Sequence, residues 1–215
     1  MNLHRVLGTA DWTDIPTAKR NVWQRIAAAT SGFVTIGNFF SLLGLASVPY
    51  GLWAIIGLDS YLWGATVLAV GRFCDLLDGW LADKTGTKSP LGEKIDASFD
   101  KAATAAVAMG LLLGGLLPLV FSVLLVAPHI AIAGVAMAAY IRGKSLHPSR
   151  AGKVSMAFVW VSITSAILAR GVYADGAGEV WSSGLWAAAF VTLTVSFVLG
   201  VMALIGYLGE YAGVK

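Results

Sequence analysis

Three long stretches of the chain contain no Asp, Glu, Lys or Arg: Ile26–Leu58, Ala102–Ile141 and Val180–Gly209, of 33, 40 and 30 residues. About 20 apolar residues cross a hydrocarbon core of about 30 Å as a helix, so each stretch is long enough to span a bilayer. The second is too long for one crossing. Its Gly114, Gly115 and Pro118 predict a tight hairpin between two helices. Two further crossings are expected at 61–82 and 153–174, where ionisable residues sit toward the helix ends. The pattern therefore predicts an all-α, polytopic membrane protein with six transmembrane helices, at 33–57, 61–82, 95–117, 119–142, 153–174 and 181–209. A membrane β-barrel would show short segments of alternating polarity, whereas these segments are apolar all round.

Charge placement predicts the orientation. Arg5, Lys19, Arg20 and Arg25 precede the first helix, Lys84, Lys88 and Lys94 follow the second, and Arg142, Lys144, Arg150 and Lys153 surround the fourth connection. The connections on the other side carry Asp59, Asp175 and Glu179 and no Lys or Arg. The bias of positive charge toward the cytoplasmic side places both termini and the two charged loops in the cytoplasm of a multi-pass cell-membrane protein.

Residues 1–32 lack the charged region, apolar core and small-residue cleavage site of a removable signal peptide, so they are expected to remain in the mature protein. Around 12–30, Trp23, Ile26 and Ala27 share a face while Lys19, Arg20 and Arg25 remain polar. This pattern predicts an amphipathic helix lying against anionic headgroups, with a disordered basic tail as the alternative. Residues 33–215 form the membrane domain, with no internal repeat and no second domain.

Composition adds little beyond this: 57% of the 215 residues are hydrophobic, 13% are charged and the net charge is +3. The positive balance is accounted for by loops facing membrane lipids, and no nucleic-acid partner is expected. The single cysteine, Cys74, excludes an internal disulfide and a cysteine-rich metal site, and is expected to pack as a small apolar residue.

The informative segment is RFCDLLDGWLADKTGTKSPLGEKIDASFDK, from Arg72 to Lys101. On a helix, Asp75, Asp78, Gly79 and Ala82 stand at i, i+3, i+4 and i+7 and line one face. Ser89-Pro90 is a sound start for the next helix, which places Gly92, Asp96 and Asp100 at i, i+4 and i+8, again on one face. Two neighbouring helices thus aim four carboxylates at one space beside a glycine-walled recess. Four like charges at a membrane boundary repel and resist dehydration, so a cation is expected among them. Oxygen-only ligation suits Mg²⁺ or Mn²⁺, with substrate phosphates completing the shell. The competing account has these acids pairing only with Arg72, Lys94 and Lys101.

The segment resembles the signature of the CDP-alcohol phosphatidyltransferases, D-x2-D-G-x2-A-R-x8-G-x3-D-x3-D. Asp75, Asp78, Gly79, Ala82, Gly92, Asp96 and Asp100 occupy their places with every spacing intact, and Asp83 stands where the family usually has arginine. The resemblance covers residues 30 to 205. It implies transfer of a phosphatidyl group from CDP-diacylglycerol to an alcohol with release of CMP. It also implies Asp75, Asp78, Asp96 and Asp100 as metal ligands, Asp100 as general base, and a nucleotide site at Asn38, Gly79, Ala82 and Gly92. Thr35, Asn38 and Ser41 loosely resemble the family's nucleotide-contacting polar stripe, though such a stripe serves helix packing equally well.

Asp75 lies only about 10 Å from the helix end at Ala82, a depth that suits a headgroup reaction. Gly152, Lys153 and Ser155 resemble the G-K-x-x-T element of phosphatidylglycerophosphate synthases. Arg142, Arg150 and Lys153 are accordingly expected to grip an acceptor phosphate, with glycerol 3-phosphate favoured and a phosphatidylinositol phosphate synthase or another acceptor as the alternative. Ordinary loop charge explains the same residues without recognition.

His129 and His147, each beside a proline, have no second histidine at metal spacing and are expected to be structural. Trp181 and Trp186 are expected to be interfacial anchors. Gly110 and Gly114 form a GxxxG that permits close packing within the chain or between chains. The resemblance implies a homodimer. Outside the class, intramembrane carboxylates also mark ion-coupled transporters, but these acids cluster at one end of their helices, and Asp83 hints at a catalytically silent scaffold.

Overall fold

In the computed structural model of the protein, residues 15–30, 35–87, 90–142, 149–176 and 178–213 are described, the side chains of residues 36, 76, 90–99 and 140 excepted. Every regular element among them is helical. A 3₁₀ turn, Thr17–Lys19, precedes seven helices: α1 (Val22–Ala29), α2 (Ile36–Gly57), α3 (Tyr61–Thr85), α4 (Pro90–Leu113), α5 (Leu119–Ile141), α6 (Arg150–Ala174) and α7 (Glu179–Ala212).

Four of these are long and apolar enough to cross a membrane: Gly37–Gly57, Leu119–Ala139, Arg150–Ala174 and Glu179–Ala212. α3 and α4 have spanning length, at 25 and 24 residues, but they carry the charged segment that resembles the family signature. Charge lowers their mean hydropathy. The helix ends fall within about five residues of the expected ones. α4 starts at Pro90 and not near 95, in keeping with the Ser89-Pro90 start signal, and α3 continues to Thr85.

The chain divides into two compact units, one formed by Met1–Gly51 with Thr66–Ala103 and the other by Leu52–Ala65 with Thr104–Lys215. In the first, α1 is closed by a capping box: Asn21 Oδ1 accepts from the Gln24 amide at 2.8 Å, and Gln24 Oε1 from the Asn21 amide at 3.1 Å. The two side-chain amides then reach the end of α3. Asn21 Nδ2 donates to the Thr85 carbonyl at 3.0 Å and Gln24 Nε2 to those of Thr85 and Gly86 at 3.4 and 3.3 Å. Carbonyls left unpaired at a helix C-terminus are thereby satisfied. Ala27 is buried, whereas Val22, Trp23 and Ile26 are exposed.

In the same unit α2 and α3 approach at glycine. A methyl group on Gly44 would lie 2.9 Å from the Gly71 carbonyl oxygen, and one on Gly71 would lie 1.8 Å from Ser47 Oγ and 3.2 Å from the Gly44 carbonyl oxygen. No other residue permits that separation of backbones.

The second unit centres on α5, α6 and α7. Ser155 Oγ donates to the Ser196 carbonyl at 2.7 Å and Ser196 Oγ to the Ser155 carbonyl at 3.1 Å, while Ser162 donates to the Ala189 carbonyl at 2.8 Å and Ser182 to that of Ala169 at 3.0 Å. The positions recur every seven residues on both helices and run in opposite directions, which defines an antiparallel pair with a heptad seam of small residues. Gly200 completes it: a methyl there would meet Pro128 Cβ at 2.8 Å and Ser155 Oγ at 3.3 Å.

Gly110 and Gly114 pack inside the chain, where added methyls would meet Leu52 at 2.6 Å and Ile56 at 3.0 Å. α4 then ends at Leu113, short of the expected 117 and at the predicted glycine break. Gly115 adopts φ +71°, with Gly115 N–H bonded to the Leu112 carbonyl at 3.0 Å and Leu116 N–H to that of Leu111 at 2.9 Å, a Schellman turn ahead of Pro118.

Candidate active site

α3 and α4 each supply carboxylates to the first unit. On α3, Asp75 and Asp78 lie three residues apart on one face. Asp78 is buried and accepts a hydrogen bond from Ser41 Oγ of α2. Asp75 is held by Arg72, one turn earlier on the same helix, and the same guanidinium nitrogen, Nη1, donates to Asp100 of α4. Asp75 and Asp100 thus converge, as the two helical faces implied. Arg72 was foreseen only as a competing ion-pair partner, and it is the cation around which the two acids gather.

Gly37 brings α2 close to this face: a methyl there would lie 3.2 Å from the Asp78 carbonyl oxygen and 3.5 Å from Ala82 Cβ. At Gly79 an added methyl would meet nothing within 4 Å among the described residues. Ala82 is half-buried. Gly92 and Asp96 fall within α4, and the surroundings of the first and the side chain of the second lie outside the described residues.

Among the described residues no three Asp, Glu, His or Cys side chains converge at metal-ligand distances. The donors nevertheless fit a hard divalent cation. They are carboxylate oxygens from facing helices, two of them already gathered on one positive charge.

The polar stripe of α2 divides into separate tasks. Thr35 Oγ1 accepts from the Asn38 amide at 3.1 Å and caps the helix, and Ser41 orients Asp78. Asn38, expected at the nucleotide, is half-buried on the same helix. Sequence spacing alone did not reveal the Ser41 contact, because its partner lies on another helix 37 residues away. Asp83 is exposed, and the following Lys84 places its ammonium 4.6 Å from the centroid of the Trp80 ring. Lys88 lies outside the described residues. Cys74 is a free, half-buried thiol.

The basic residues expected to hold an acceptor belong to the second unit. Arg150 and Lys153 are exposed in the first turn of α6, which Ser149 caps by accepting from the Gly152 amide at 3.1 Å. That turn carries no acid. Arg142 is exposed and its guanidinium carbon lies 5.1 Å from the centroid of the Tyr211 ring. Lys144 and His147 lie outside the described residues. Ser155 departs from the expected acceptor element, since it is fully buried, bonds to α7, and stands one position short of the element's threonine.

His129 is buried with Nε2 3.4 Å from Ser155 Oγ, a packed polar contact of the kind expected for a structural histidine. Trp181 is exposed, whereas Trp186 belongs to an aromatic cluster with Phe121 and Phe190, at centroid distances of 6.3 and 5.9 Å.

The family model for CDP-alcohol phosphatidyltransferase matches residues 34–204. The chain is similar to a cardiolipin synthase (CMP-forming) of Streptomyces coelicolor, 33% identical over 117 residues that cover 52% of this chain and 54% of that protein. It is also similar to an archaetidylinositol phosphate synthase of Pyrococcus horikoshii, 41% identical over 59 residues covering 27% and 31%. The chain therefore spans about half the length of the first relative and less of the second. Because the family match takes in every helix from α2 to α6, most of α7 and all seven matching signature positions, the chain belongs to the CDP-alcohol phosphatidyltransferase family.

Proposed function

We propose that the protein transfers a phosphatidyl group from CDP-diacylglycerol to a small phosphorylated polyol, releasing CMP, in phospholipid biosynthesis. The observation that carries this reading is the convergence of Asp75 and Asp100 on one guanidinium beside the buried Asp78, within the matched family segment. Asp75, Asp78, Asp96 and Asp100 would hold Mg²⁺ or Mn²⁺. A bound divalent cation supplies charge neutralisation at the pyrophosphate and at the departing CMP.

The chain's own residues do the rest. Ser41 fixes the Asp78 carboxylate, and Asn38 and the small residues Gly79, Ala82 and Gly92 admit the nucleotide. Asp100 takes the proton from the acceptor hydroxyl as its oxygen bonds to the lipid-linked phosphorus and the phosphoanhydride bond to CMP breaks. α2 to α7 would form six spans with both termini and this site facing the cytoplasm, and α1 would lay Val22, Trp23 and Ile26 against the headgroups. The functional protein is proposed to be a homodimer.

The test is CMP release from CDP-diacylglycerol by protein in detergent, with Mg²⁺ or Mn²⁺ and after exhaustive chelation. Release that stops on chelation and returns with metal supports the reading. Turnover that survives chelation rejects the metal-dependent mechanism, and absence of turnover with every acceptor favours a silent scaffold. In the same assay Asp83→Arg, which restores the family residue at an exposed position, is expected to retain or raise activity. Complete loss would mean that this chain balances its site charge differently.

For the acceptor, glycerol 3-phosphate is the first choice and inositol phosphate the second. Arg150 and Lys153 place two cations at the positive end of the α6 dipole with no acid in the turn, an arrangement that an anion would relieve. Arg142 is assigned to the same acceptor. Arg150→Ala and Lys153→Ala should each raise the acceptor KM by about tenfold or more while leaving that for CDP-diacylglycerol nearly unchanged, since each would remove one charge-assisted contact. Equal turnover with unphosphorylated glycerol or inositol would reduce these cations to topology signals. The Streptomyces coelicolor relative, named for cardiolipin, supports a second reading in which the acceptor hydroxyl belongs to a phospholipid headgroup. A panel of free and lipid-borne acceptors separates the two.

A further inference from the structure

We propose that Arg72 is a resident counter-cation of the metal site, holding Asp75 and Asp100 together before metal binds and giving them up to the divalent cation. The proposal rests on the metal reading above and extends it to a residue outside the seven matching signature positions.

Two carboxylates from different helices share one guanidinium nitrogen, and the three side chains are only 20% (Arg72), 15% (Asp75) and 21% (Asp100) exposed. In so sheltered a place two unscreened acids would repel each other and force α3 and α4 apart at this level. A guanidinium is the cation suited to prevent it, being permanently charged, planar and able to serve two acceptors. Its origin on α3 matters too. Arg72 precedes Asp75 by one turn, so its side chain spans to α4 without leaving its own helix.

One guanidinium offsets only one of the two carboxylate charges it touches. Asp75 and Asp100, in holding a divalent cation, would be exposed to two positive charges, and the Arg72 guanidinium kept on these carboxylates would then be repelled. Metal binding is therefore an exchange of one cation for another. Arg72 acts on metal occupancy as a positioning residue, and its removal should tighten the metal while loosening the metal-free protein.

The experiment uses the full chain in detergent without substrate. Mn²⁺ is titrated and the free ion read by its electron paramagnetic resonance signal, with Tm measured in chelator and at saturating Mn²⁺. For Arg72→Gln we expect a Kd for Mn²⁺ lower by about tenfold, since a charged hydrogen-bond competitor has been removed. We also expect a lower Tm in chelator and a larger rise in Tm on adding Mn²⁺. Arg72→Lys, which retains the charge but lacks the planar fork, should fall between the two and provides the answer if the glutamine variant fails to fold. An unchanged or weaker Kd in the variants overturns the exchange while leaving the metal site standing. Absence of Mn²⁺ binding by the unaltered protein overturns both.

Discussion

Asp100→Asn is expected to lower CMP release by about 10³-fold or more, within the range for loss of a positioned general base, while the protein stays folded in detergent. The amide keeps the shape of the carboxylate and can still accept a hydrogen bond from Arg72, so the contact between α3 and α4 survives. What disappears is the ability to take a proton and most of the affinity for a cation. The loss should fall mainly on kcat through the missing base, with a rise in the KM for CDP-diacylglycerol to the extent that the weakened cation no longer neutralises its pyrophosphate. Asp96→Asn, four residues earlier on the same helical face, should cost a similar factor through the metal. Each variant is checked by gel filtration for a monodisperse species and then assayed for CMP. Turnover near that of the unaltered protein in either case removes the corresponding assignment.

The second large effect is expected from Gly71. A Cβ at this position would sit 1.8 Å from Ser47 Oγ and 2.6 Å from Ser47 Cβ, so even Gly71→Ala forces Ser47 or the helix to move. Overpacking at such a contact costs about 1–3 kcal/mol, and Gly71→Leu should exceed that and leave α2 and α3 unable to pair. Asp75 and Asp78 stand on the next turns of α3, and Ser41 holds Asp78 from α2, so separation of these helices dismantles the carboxylate arrangement as well. A rescue experiment isolates the cause. Ser47→Gly removes both clashing atoms, and Gly71→Ala combined with it should recover most of the lost Tm and activity. If the double variant is as damaged as Gly71→Ala alone, crowding against Ser47 is not the reason.

Much of this was legible in the residues because membrane physics leaves few solutions. Uncharged runs of 33, 40 and 30 residues demand long helices, and the Gly114-Gly115-Pro118 break fell where the chain turns. The spacing of Asp75, Asp78 and Asp100 placed them on facing stripes, and the convergence of Asp75 with Asp100 follows. Pairings across helices were not legible. Nothing in a period of 3.6 says that Ser41 meets Asp78, or that one arginine serves acids 28 positions apart. The hydroxyls of α6 and α7 were equally silent, since a serine in an apolar run names no partner. Ser155 was assigned by local similarity to an acceptor element when its hydroxyl is committed to another helix. Gly110 and Gly114 left open whether they met this chain or another, and their neighbours proved to be Leu52 and Ile56.

The seam between α6 and α7 has a mechanical consequence. Its hydroxyl-to-carbonyl bonds lie seven residues apart, so sliding one helix along the other by less than a heptad breaks all of them together. The pair has one length. In a thicker or thinner bilayer it cannot adjust by telescoping, as two smooth apolar helices would. It must tilt as a single strut or oblige the lipid around it to stretch or compress, at a cost of a fraction of a kcal/mol per Å of mismatch.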